Sequence, residues 1–132
     1  MTDRDGFLVR VIDDDSAVRD SLEALLVVAG YPVASFASAE EYLSCADGRG
    51  EGCILLDLHM PGMGGLGLME ALAVREGSPP VVVLTASREA PLHDRARSLG
   101  ARAILTKPVL QATLLSTLAT VGGAIRRGFP RL

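Results

Sequence analysis

A chain of 132 residues has the length of one domain and leaves little room for a second. Its net charge of −3, from 13 basic and 16 acidic side chains, gives no electrostatic footprint for nucleic acid or for an anionic membrane surface. Aromatic residues are 4% against a hydrophobic total of 48%, and Trp is absent, so the core is expected to consist of Leu, Val, Ala and Ile in layered helices and sheet.

The chain opens Met1-Thr2-Asp3-Arg4-Asp5, without the basic start and apolar segment of a signal peptide, and no apolar run approaches the ~20 residues of a membrane helix. A cytoplasmic protein is expected. Phe7 to Ile12 is apolar and β-branched and runs into Asp13-Asp14-Asp15, predicting a first strand that ends in three carboxylates. Val18, Leu22, Leu25, Leu26 and Ala29 follow helical spacing, with Gly30 as the C-terminal stop. Val33 to Phe36 reads as a short edge strand, and Ser38-Ala39-Glu40-Glu41 has the Ser-x-x-Glu form of a capping box opening a second helix through about Cys45.

A polar, Gly-rich loop over 47–52 leads to a third strand, Cys53 to Leu56, which runs into Asp57. After the loop Leu58-His59-Met60-Pro61-Gly62, the residues Leu66, Met69, Leu72 and Ala73 are expected to form the packing face of a third helix, ended by Ser78-Pro79-Pro80. Val81 to Leu84 is apolar without alternation, as a strand buried on both faces reads, and it ends on Thr85. The segment Arg88 to Leu99 has only a thin stripe of Leu92, Ala96 and Leu99, predicting a lightly packed fourth helix. Gly100 ends it, Ala103 to Leu105 forms a fifth strand followed by Lys107-Pro108, and Leu110, Leu114, Leu115, Leu118 and Val121 mark a fifth helix. Gly122-Gly123 is expected to stop that helix, so the domain spans 1–121 and residues 122–132 form a basic tail or the start of a linker. Cys45 and Cys53 occur without a Cys-x-x-Cys pair or Cys/His cluster, predicting reduced, largely packed thiols.

Strand and helix signals alternating five times argue for a doubly wound parallel sheet, because right-handed crossovers leave few other solutions. The expected fold is flavodoxin-like, a five-stranded parallel sheet of order 2-1-3-4-5 with five helices. In it the C-terminal strand ends carry Asp13 and Asp14, Asp57, Thr85 and Lys107, on the edge where open α/β sheets bind ligands. Read singly, the aspartates suit turns and helix caps, Thr85 a strand end and Lys107 a solvated surface. Their coincidence on one edge favours a site. Clustered carboxylates need a cation, and an all-oxygen donor set fits Mg²⁺, with Mn²⁺ able to substitute. Asp57 then suits an aspartyl nucleophile for phosphoryl transfer, with Lys107 and Thr85 covering the phosphoryl oxygens. Of the 13 basic side chains Lys107 alone is a lysine, a compact charge suited to an anion.

The runs Val11-Ile12-Asp13-Asp14-Asp15, Asp57-Leu58-His59-Met60-Pro61-Gly62-Met63-Gly64-Gly65, Leu84-Thr85-Ala86 and Lys107-Pro108 resemble the receiver domain of two-component response regulators, over about Phe7 to Val121. Asp14-Asp15-Ser16-Ala17-Val18-Arg19 and Phe36-Ala37-Ser38-Ala39-Glu40 resemble the branch often joined to a LuxR-type output domain. The resemblance implies that Asp57 is the phosphoacceptor, that Asp13, Asp14, Asp57 and the backbone carbonyl of His59 hold Mg²⁺, that Thr85 and Lys107 contact the phosphoryl group, and that Lys107-Pro108 is a cis peptide. It further implies a histidine kinase or phosphotransfer protein as donor, small phosphodonors besides, and self-catalysed phosphorylation and dephosphorylation in place of an enzyme's turnover. The output partner, an attached domain or a downstream protein, would meet the face of the fourth helix, fifth strand and fifth helix, and whether phosphorylation drives a homodimer is left open by the sequence. His59 and Ser87, two residues after Asp57 and Thr85, are expected to tune the phosphoryl lifetime. One departure stands out: Ile104 occupies the position where many receivers carry an aromatic that works with Thr85 as a switch, and Val109 is smaller than the Phe often found there.

Two other classes fit less well. Aspartyl phosphatases of the haloacid-dehalogenase type place a second acid two residues after the nucleophile, where this chain has His59. A nucleotide or flavin carrier needs a Gly-rich phosphate loop after the first strand, where three carboxylates stand instead.

Overall fold

The computed structural model describes residues 6–45 and 51–126; the polar loop expected over 47–52 lies outside them except for Glu51 and Gly52, as does the basic tail after Arg126. The elements in chain order are β1 (Leu8–Ile12), α1 (Ser16–Val28), β2 (Val33–Phe36), α2 (Ala39–Cys45), β3 (Gly52–Asp57), α3 (Gly64–Ala73), β4 (Val81–Thr85), α4 (Ala90–Ser98), β5 (Ala101–Thr106) and α5 (Gln111–Arg126). The strands form one sheet of order β2-β1-β3-β4-β5, all neighbours parallel. This is the expected flavodoxin-like topology.

The period-2 alternation of strand side chains divides the interior into two cores. Ile12, Ile54, Leu56, Val81 and Val83 face Tyr42, Leu68, Met69, Leu72 and Ala96 of α2, α3 and α4. On the other side Val9, Val11, Cys53, Leu55, Val82 and Leu84 meet Leu26 of α1 and Leu114, Leu118 and Val121 of α5. Strands covered on both faces have no reason to alternate apolar with polar, hence the continuous runs in β3 and β4. Each fully buried aliphatic side chain contributes about 1.5–3 kcal/mol.

Local signals fix several element ends. Asp15 is the α1 cap, its carboxylate accepting from the N–H groups of Ala17 at 2.9 Å and Val18 at 3.4 Å. At the other end Gly30, at φ 96°, lets its N–H donate to Val27 O and that of Tyr31 to Leu26 O, closing the helix. Ser38 Oγ accepts from Glu41 N–H at 2.9 Å, and the Glu41 carboxylate accepts from Ala37 N–H, so the capping signal is realised with its return bond one residue early.

Four expectations are corrected. Helix α5 does not stop at Gly122-Gly123 but runs to Arg126. Gly122 is buried, and a Cβ there would make ordinary contact with the Phe7 ring at 3.4 Å; tertiary context overrides the poor helix propensity of glycine. Leu110 precedes α5 and is 73% exposed. Ala73 is exposed, and α3 packs through Gly65, Leu68, Met69 and Leu72. Cys45 is exposed while Cys53 is buried, and burial pushes the Cys53 thiol up to about 12, which keeps it protonated and inert. No pattern in the sequence singles out Arg10, which is 5% exposed within β1.

Candidate functional site

The C-terminal edge of the sheet gathers the polar residues that the two cores exclude. Asp57 is the last residue of β3, opposite Leu84 of β4. Asp13 follows β1 directly, and its N–H extends the ladder to Phe36 O at 3.1 Å. Both are buried, whereas Asp14 is exposed. One carboxylate oxygen from each of Asp13, Asp14 and Asp57 lies within 4.8 Å of the others.

Lys107 follows the last residue of β5 by one. Its N–H donates to Thr85 O at 2.8 Å, which fixes its backbone beside β4, and the Lys107-Pro108 peptide is cis. The Lys107 Nζ lies 3.1 Å from Asp13 Oδ2 and 3.8 Å from Asp57 Oδ1. Two further bonds set the acids: Asp15 N–H donates to Asp13 Oδ1 at 3.0 Å, and His59 N–H donates to Asp57 Oδ1 at 3.2 Å. Burial pushes the Asp57 carboxyl above its usual range. The His59 N–H and the Lys107 charge pull it down, and the Asp13 and Asp14 charges push it up again. An ionised Asp57 is therefore costly without added positive charge.

Thr85 is fully buried at the end of β4. Its Oγ1 accepts from Ser87 N–H at 3.1 Å, which leaves the hydroxyl proton for another acceptor. Ser87 Oγ accepts from Glu89 N–H at 3.2 Å. The carboxylates and Lys107 are thus in direct contact, while Thr85 and Ser87 stand on the neighbouring strand end. His59 is exposed, and the clustered carboxylates are those of Asp13, Asp14 and Asp57. Ile104 pairs with Val83 in β5 and packs partly buried against the α2–α4 core, and Val109 packs against the α1–α5 core.

Sequence reasoning missed two supports. Arg19 Nη1 donates to Asp13 O at 2.8 Å, six residues along the chain, a separation that no motif marks. His93 Nε2 lies 2.7 Å from Ser87 O; a carbonyl only accepts, so Nε2 carries the proton and ties α4 to the loop after Thr85.

The donor set bears on a metal. Three clustered carboxylates, two of them buried, with a backbone loop at hand form an all-oxygen arrangement that fits a hard divalent cation and not a soft one. The residues present fit such an ion.

Comparison with known proteins gives a consistent result. The family described as response regulator receiver domain matches residues 9–119. The chain is 36% identical to the transcriptional regulatory protein FixJ of Bradyrhizobium diazoefficiens, over 92% of this chain and 58% of FixJ. It is 40% identical to the sensory/regulatory protein RpfC of Xanthomonas campestris, over 89% of this chain and 17% of RpfC. The chain therefore spans a little over half of the one relative and a small part of the other. Among solved structures, the chemotaxis protein CheY4 of Vibrio cholerae superposes with a TM-score of 0.81 at 29% identity, covering 88% of this chain and 98% of CheY4.

Proposed function

We propose, for a chain that belongs to the response regulator receiver domain family and so to two-component signalling, that Asp57 accepts a phosphoryl group and that the change is read by a partner. The observation that carries this is the Lys107 ammonium shared between Asp13 and Asp57 within a cluster of three carboxylates. An Asp57 carboxylate oxygen attacks phosphorus, the donor's bond to phosphorus breaks, and an acyl phosphate remains. Lys107 turns from pairing carboxylates to pairing the added charge. The Thr85 hydroxyl, whose oxygen already accepts from Ser87 N–H, donates a hydrogen bond to a phosphoryl oxygen.

Asp13, Asp14, Asp57 and the His59 carbonyl would hold Mg²⁺, which when bound supplies the positive charge that phosphoryl transfer between anions requires. Mn²⁺ would serve in its place. The chain's own chemistry is limited to its own phosphorylation and dephosphorylation, and His59 and Ser87 at the rim govern water access and so the lifetime.

The donor is a histidine kinase or phosphotransfer protein of the cytoplasm. The output, an attached domain or a separate protein, meets the face of α4, β5 and α5, and phosphorylation favours a homodimer there. Supporting this face, every residue of β5 is at least partly exposed, and α4 buries only Ala96. The domain includes α5 to Arg126, and the residues after it would serve as tail or linker. Among the described residues, no helix is long and apolar enough to cross a membrane.

The test is a phosphate-affinity gel after treatment with acetyl phosphate and Mg²⁺. A retarded band is expected in the wild type and none in Asp57→Asn; a shift that persists in the variant removes Asp57 from its role. Sedimentation with and without beryllofluoride tests the dimer.

A further inference from the structure

We propose that Glu40 is a positioning residue for the acceptor site: its carboxylate, on the first turn of α2, clamps the β3–α3 turn in the shape that brings His59 to the metal position. The inference rests on the reading of Asp57 and its neighbours as a metal-dependent phosphoacceptor site. Glu40 and Glu41 are adjacent in sequence but do different work. Glu41 caps its own helix, while Glu40 Oε2 accepts the Met63 N–H at 2.9 Å, 23 residues away.

Three features converge on this bond. Met63 is the N-cap of α3 and its side chain makes no cap bond; its own N–H, one of the helix-start donors without an intrahelical partner, donates to a carboxylate on another helix. Gly62, at φ +80°, a conformation that favours glycine, adjoins the bond, and a Cβ there would lie 2.4 Å from Glu40 Oε2 and displace the carboxylate. The bond also holds the Glu40 carboxyl below its usual range.

The root of the same turn is pinned independently. Gly65 N–H donates to Leu58 O at 3.3 Å, and a Cβ on Gly65 would lie 2.6 Å from Asp57 O. With root and tip both fixed, the segment between Leu58 and Met63 has little freedom, and His59, whose N–H holds Asp57 Oδ1, lies inside it. An exposed carboxylate contributes little to global stability. Its contribution is the conformation of a short turn, as partners behind the direct ligands supply at other metal sites.

The test monitors the backbone amides of His59 and Met63 by NMR during Mg²⁺ titration of the full chain. The wild type is expected to give a saturable shift that Asp57→Asn abolishes. Glu40→Ala weakens Mg²⁺ affinity roughly three- to tenfold, at or below the low end for groups behind direct ligands, and Glu40→Gln, which keeps an acceptor oxygen, recovers most of it. Equal Mg²⁺ affinity in Glu40→Ala, even with a lower unfolding midpoint, makes Glu40 a helix cap and overturns the proposal while the acceptor reading stands. Glutamine behaving like alanine overturns it too. A wild type with no Mg²⁺ response overturns the metal site and the clamp together.

Discussion

Strands β3 and β5 both run parallel into the site, yet they are built oppositely. Every residue of β3 from Gly52 to Asp57 is buried, whereas no residue of β5 from Ala101 to Thr106 is fully buried. β3 lies at the centre of the sheet between both cores; β5 is an edge, covered on one side by α4 with its single buried Ala96. The carboxylate proposed as acceptor is thus mounted on a strand buried along its whole length, and Lys107 at the end of a looser one. Regions that change shape are drawn from the low-stability end of a structure, so on the proposed function the difference would separate a fixed acceptor from a compliant reader.

The sharpest way to break this comparison is to cut both strands equally. Leu56→Ala in β3 is expected to cost about 3–5 kcal/mol, and Ile104→Ala in β5, partly exposed, only about 1–2 kcal/mol; urea unfolding gives both, and equal losses would end the distinction. Gly65→Ala, which forces a Cβ against the Asp57 carbonyl, should cost about 1–3 kcal/mol and slow phosphorylation by acetyl phosphate as well, since it displaces the acceptor's own backbone. Normal phosphorylation kinetics in that variant would argue that the mount tolerates movement.

A smaller effect has the opposite sign. In metal-free protein Asp57→Asn should raise the thermal midpoint at neutral pH, because burial and neighbouring carboxylates penalise the charge. The folded pKa of Asp57 lies above the unfolded one, so the native state binds the proton more tightly. The deficit of the wild type is therefore present above the folded pKa and disappears as pH falls toward the unfolded value of about 3.9. Unfolding scans from neutral pH downward check this; a gap that widens on acidification contradicts it. Smallest of all, His93→Ala should cost about 0.5–1.5 kcal/mol, one hydrogen bond, and hydrogen exchange should show it in α4 and not in β3.

Much of this molecule was legible because the signals are local or periodic. Uninterrupted apolar runs gave the doubly covered strands, and their parallel order then placed Asp13, Asp14, Asp57, Thr85 and Lys107 on one edge. The errors share a cause. Gly122-Gly123 reads as a stop on propensity, but the helix there packs beside the Phe7 ring, 115 positions earlier. Leu110, Ala73 and Cys45 look like packing residues until the helix phase is set by the sheet beneath. Glu40 and Arg19 reach the site through bonds that join distant segments or cross a loop, and neither periodicity nor motif spacing encodes such reach.

The alternation that divides the two cores has a mechanical corollary. Asp13 and Asp57 continue the side of Val11 and Leu55, toward α1 and α5, while Thr85 continues the side of Val81 and Val83, toward α2 and α4. A bond drawn between the Thr85 hydroxyl and a group on Asp57 therefore passes around the rim of the sheet. The load it places on the end of β4 is a torque about the strand axis more than a pull along it. Such a twist is resisted least where the covering layer is thinnest, and on Thr85's side that layer is α4.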